Sequence, residues 1–119
     1  MDVAIKPLIA NLRATIPMLV RTAPASEDYL EGVLSREALQ RCYALLSDAL
    51  GAPVKAFDQP VQLESRLQKV VVNLGGIRTE QCLFLKAGEQ ERAVYAALWP
   101  WASDQTRITL KVGVCKIQS

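Results

Sequence analysis

The sequence predicts an α+β (or small α/β) fold, a two-layer single domain over residues 1–119. Its N-terminal half reads as largely helical and its C-terminal half as a β-α-β unit. Three observations lead there. Apolar residues recur at helical spacing in two N-terminal segments, and they alternate with polar ones from Thr106 to Ile117. The 18 residues from 88 to 105 are long enough to hold a right-handed crossover between parallel strands. Leu, Ile, Val and Phe supply 35 of the 119 residues, enough for one core.

Val3, Ile5, Leu8, Ile9 and Leu12 share a face, so a helix is expected from about 3 to 15. Pro17 ends it, leaving an irregular tail through Pro24. Residues 29–34 fit either a short helix or a strand through Gly32, and six residues leave both open. Ser35-Arg36-Glu37 then opens the clearest helix, with Leu39, Cys42, Tyr43, Leu46 and Leu50 on one face. Gly51 and Pro53 close it in the order helices favour.

Pro53, Asp58 and Pro60 mark a loop with a short extended piece at 54–57. Residues 61–73 are expected to form a helix stopped by Gly75-Gly76, against the competing pull of Val70-Val71-Val72 toward a strand. Cys82-Leu83-Phe84-Leu85 is a continuous apolar run, as in a strand covered on both faces. Residues 89–99 read as helical, with acids in the first turn and Pro100 as the stop. The alternation of Ile108, Leu110, Val112 and Val114 makes 106–117 the best strand, expected at a sheet edge.

Composition excludes more than it assigns. The chain has no histidine, which removes the commonest general base, the Ser-His and Cys-His nucleophile pairs and the commonest metal ligand. Cys42, Cys82 and Cys115 lie far apart, form no CxxC and sit among apolar neighbours, as buried free thiols do. A reducing cytoplasm is the expected location. No run approaches the roughly 20 apolar residues of a membrane span. No metal and no cofactor are implied. An enzyme would have to use Asp58, Glu64, Glu80, Lys86, Tyr95 or Asp104, none of them at a distinctive spacing, so catalysis is disfavoured.

Two features remain. Trp99-Pro100-Trp101 is a candidate interaction surface together with Arg107 and Lys111, because tryptophan buries a large area with little entropy to lose. Across the proline the two rings are expected to point apart, one buried and one exposed. Gly75 and Gly76 with Arg78 are a candidate anion-binding nest, against the simpler reading of a helix C-cap. The net charge of +2 divides into −1 over residues 1–60 and +3 over 61–119. That excess keeps a nucleic-acid or other anion partner in view, although nucleic-acid binders are usually far more basic. The leading expectation is a non-enzymatic protein–protein interaction or regulatory domain of otherwise unknown function, pairing with a partner protein or, as a homodimer, with itself.

Overall fold

In the computed structural model the described residues are 5–21, 29–59, 68, 71, 72, 78–87, 92–104 and 106–116. In chain order they form α1 (Ile5–Thr15), β1 (Met18–Val20), β2 (Leu30–Ser35), α2 (Arg36–Leu50), β3 (Cys82–Ala87), β4 (Arg92–Pro100) and β5 (Arg107–Lys116). The strands make one sheet in the order β1-β2-β5-β4-β3, and every neighbouring pair is antiparallel.

This corrects the expected C-terminal β-α-β unit. Residues 92–100 form a strand where a crossover helix was expected, and β3, β4 and β5 form an antiparallel meander. The physical reason is burial on both faces. Six consecutive residues, Ala93 to Leu98, are buried, so β4 shows no polar alternation. A run of Ala, Val, Tyr and Leu then fits either period, and pairing along both edges decides for strand. It also corrects the edge position of 106–117, since β5 lies between β2 and β4. The N-terminal half carries β1 and β2 as well as its helices, so the open choice at 29–34 resolves to strand. The helix expected at 61–73 is helical at 68, 71 and 72, and its other residues lie outside the described ones.

Both described helices follow the sequence pattern. Leu8, Ile9 and Leu12 of α1 are buried, Pro7 falls in the first turn where no N–H is needed, and Pro17 follows the helix. In α2 the buried stripe is Cys42, Leu46 and Leu50. Gly51 ends α2 at φ 86°, and its N–H donates to Ser47 O at 2.8 Å. At the other end Arg36 N–H donates to Thr106 O, which ties α2 to the start of β5.

The helices cover one sheet face. There Leu30, Leu34, Cys82, Phe84, Ala96, Leu98, Ile108, Leu110 and Val112 join the helical stripes in the main core. Tyr43 meets Phe84 edge-on, ring centroids 5.2 Å apart. The opposite face has a second, smaller cluster of Val71, Leu83, Tyr95 and Ala97. Tyr95 lies across its register partner Gly113, where a Cβ would come within 2.7 Å of the tyrosine Oη.

The two sheet edges differ. Along β3, the 54–55 segment pairs with Leu83: Val54 N–H donates to Leu83 O at 2.9 Å and Leu83 N–H to Lys55 O at 2.9 Å. Lys55 is 3% exposed, and its ammonium donates to the carbonyls of Ala56 and Gln81 at 2.7 Å and to that of Thr79. All three of its protons are used, which permits a buried ammonium here. Burial lowers its pKa. The β1 edge carries no such cover from the described residues.

Candidate interaction surface

On the sheet face away from the helices, four side chains form a row across four strands. Leu19 of β1 pairs with Val33 of β2, Val33 with Thr109 of β5, and Thr109 with Trp99 of β4. Trp101, two residues beyond Trp99, donates its indole N–H to Thr109 Oγ1 at 2.7 Å. The expectation of diverging rings is therefore wrong. Trp99 lies in a strand rather than at a helix end, and a period of two sends both indoles to one face. Both are half-buried.

Each ring carries cations. Lys111 Nζ lies 4.3 Å from the Trp99 ring centroid. The guanidinium carbons of Arg21 and Arg107 lie 5.7 and 5.5 Å from that of Trp101. Such contacts are worth about 0.5–1 kcal/mol each at exposed sites. Arg107 and Lys111, four apart on β5, share the face as the alternation predicts, and each takes a different tryptophan. Arg107 also pairs with Asp104 at 3.3 Å, and Lys111 with Glu31 at 4.0 Å. The turn before β5 is fixed by Asp104, whose Oδ1 accepts Thr106 N–H at 3.0 Å and Thr106 Oγ1–H at 2.5 Å. These bonds, with Arg107 beside them, hold the Asp104 carboxyl below the usual carboxylate range.

Sequence reasoning missed Leu19, Arg21 and Thr109. Leu19 is 65% exposed, an unusual position for a leucine on a sheet face that also bears two indoles. Its signal emerges only with β1 as a strand, since the sequence alone predicts an irregular tail there.

The candidate anion site does not come together. Gly75 and Gly76 lie outside the described residues. Arg78 is exposed in the turn before β3, and that turn uses its amides internally: Arg78 N–H donates to Gln81 Oε1 at 2.8 Å and Gln81 N–H to Arg78 O at 3.0 Å. Its carbonyls face Lys55.

Of the residues an enzyme would need, Tyr95 is buried in the second cluster, and Asp58 and Glu80 stand exposed on the rim of a hollow with Arg36, Phe57 and Trp101. Glu64 is not among the described residues. Cys42 and Cys82 are free thiols pushed up to about 12 by burial, the opposite of an activated nucleophile. Cys115 is free, half-buried and also pushed up by burial. Among the described residues no helix is long and apolar enough to cross a membrane.

No family model, no curated protein and no solved structure matches this chain. Function must therefore be argued from the surface itself.

Proposed function

We propose that this protein is a non-enzymatic interaction domain. Its contact surface is the sheet face bearing Leu19, Trp99 and Trp101, with Arg107 and Lys111 among them. One observation carries the reading: on one sheet face an exposed leucine of the edge strand stands in the cross-strand row that ends at Trp99, and both indoles are already held in place by side chains of the sheet. Trp and Arg are the side chains that most often dominate binding energy. Fixing their rotamers before contact removes part of the ordering cost of association.

A protein partner fits this surface better than nucleic acid does. Base stacking needs an open ring face, and here arginine and lysine side chains lie over the indoles. The net charge of +2 adds little pull on a phosphate backbone. Of the features behind the homodimer expectation, the edge at 106–117 is lost with β5 inside the sheet and the apolar face of α1 is buried in the core; the Trp-Pro-Trp corner is left, and it serves a partner protein or a second copy equally. Buried, unpaired thiols at Cys42 and Cys82 support a reducing compartment such as the cytoplasm.

Capture of partners from extracts of the source cell tests this reading. Protein retained by the wild type should be lost with Leu19→Glu and with Trp101→Ala, circular dichroism being unchanged. Identical retention by all three proteins would refute the assigned surface.

A further inference from the structure

We propose, building on the interaction reading above, that the β1 edge is occupied by a second copy of this chain. The two β1 strands join antiparallel about a two-fold axis between Leu19 and its copy, making one ten-stranded sheet from two five-stranded ones. The hydrogen-bond pattern supplies the first argument. Arg21 N–H donates to Glu31 O at 2.7 Å, and in an antiparallel ladder bonded pairs alternate. Leu19 and Val33 are the next bonded pair, so Met18 and Val20 turn their N–H and C=O groups away from β2. Those groups are a template for another strand. The far edge is closed by the 54–55 segment, whereas no described residue pairs with β1 on its outer side.

That template is complementary to itself. Met18 and Val20 stand symmetrically about Leu19, so in an antiparallel pair Met18 of each copy meets Val20 of the other and four hydrogen bonds close. Slipped registers are poorer. Pairing Met18 with its own copy sets Val20 against Ile16, whose N–H already donates to Leu12 O at 2.9 Å. Pairing Val20 with its own copy brings the two Arg21 positions to about 7 Å, where like charges repel. In the favoured register they stand about 14 Å apart, four residues of strand and beyond a Debye length at physiological salt. Arg21 then lies opposite Pro17, whose missing N–H is not needed because that pair is a non-bonded one.

Side chains supply the second argument. Leu19 is 65% exposed, and the other exposed large apolar side chains among the described residues, Val72 and Val114, do not lie on a sheet edge. In the two-fold pair Leu19 faces its own copy, with Cα atoms about 4.5 Å apart, the closer of the two antiparallel spacings. The leucine thereby acquires an apolar neighbour on the face that carries the indoles. Pairing about a two-fold axis asks for only this one self-complementary patch. Three residues a side place the contact below the roughly 1,200 Å² of a standard interface, so association is weak, with Kd about 0.1–0.5 mM.

The test is sedimentation velocity and amide NMR on the whole protein from about 10 µM to about 1 mM. Monomer should give way to dimer across that range. The amides of Met18 and Val20 should shift and exchange more slowly, while that of Arg21, already bonded to Glu31, changes less. Leu19→Glu sets two carboxylates side by side and should weaken the dimer at least about tenfold. Leu19→Cys reads the geometry directly: Cα atoms about 4.5 Å apart lie within disulfide range, so mild oxidation should link two copies. Arg21→Cys, about 14 Å from its copy, and the wild type with its native thiols should stay unlinked. A monomer throughout the range, a dimer whose shifts bypass Met18 and Val20, or linkage as ready at Arg21→Cys as at Leu19→Cys would overturn the proposal. If the protein stays monomeric while Leu19→Glu still abolishes capture from extract, the second-copy proposal falls and the interaction reading stands. If capture fails as well, both fall.

Discussion

Gly113 and Lys55 show how much a single position decides in this sheet. Gly113 is required by a close approach, not by its backbone angles. The Tyr95 ring occupies the space where a Cβ would stand, 2.7 Å from its Oη and 2.9 Å from its Cζ. Gly113→Ala must displace a buried ring and should cost about 1–3 kcal/mol in urea unfolding. A loss below a few tenths would show that the ring is free to move. Lys55 is held differently, by three carbonyls on two segments. Lys55→Met keeps the stem but takes the ammonium donor from all three carbonyls, of which Thr79 O retains Asp58 N–H, and should destabilise by about 1–3 kcal/mol. Neither residue announced itself in the sequence. A lysine in a loop reads as solvated, and a glycine within an alternating run reads as a weak strand position, until the partners that surround them are known.

Among the elements, α2 was legible and β4 was not, for opposite physical reasons. α2 is half-buried, so its stripe of Cys42, Leu46 and Leu50 repeats against a polar remainder, and Gly51 marks its end. Because Gly51 sits at φ 86° and ψ −171° with open space around it, Gly51→Ala should cost only the penalty of a backbone region essentially reserved for glycine, about 1–3 kcal/mol, read as a fall in melting temperature. β4 is buried on both faces from Ala93 to Leu98, which erases the alternation that identifies a strand. Hydrogen exchange checks the correction: amides of Val94 to Leu98 should be among the slowest and should exchange together with those of β5. The strand at 107–116 was visible because its alternation survives, but its place inside the sheet was not, since neighbours in a sheet come from distant sequence. The candidate surface was half legible for the same reason. Trp99, Trp101, Arg107 and Lys111 stood out by residue type, whereas Leu19 and Arg21 joined them only through pairing of β1 with β2.

Across the whole molecule, burial of thiols links the fold to pH. Cys42 and Cys82 are both pushed up to about 12 by burial, whereas an unfolded thiol ionises near 8.5. Their folded values are raised, so the stability they contribute is full below about pH 8.5 and is lost as pH rises toward 12. Each thiol removes about 1.4 kcal/mol per pH unit within that window. Lys55, lowered by burial, acts in the opposite sense, one group against three thiols, since Cys115 is raised as well. The urea midpoint should therefore fall between pH 8 and pH 10.5, and fall less steeply in Cys42→Ala. A flat profile would mean that the thiols already meet water in the folded state. At this scale the organisation is asymmetric: one sheet face and the β3 edge are closed, while Leu19 and the β1 edge face outward and the two indoles are half-buried. That asymmetry is the basis for reading the molecule as a binding domain. Hydroxyl-radical footprinting, comparing the isolated protein with the protein in source-cell extract, tests it most directly. Leu19 and Trp101 should oxidise readily in isolation and be protected in the extract; equal oxidation in both would contradict the account.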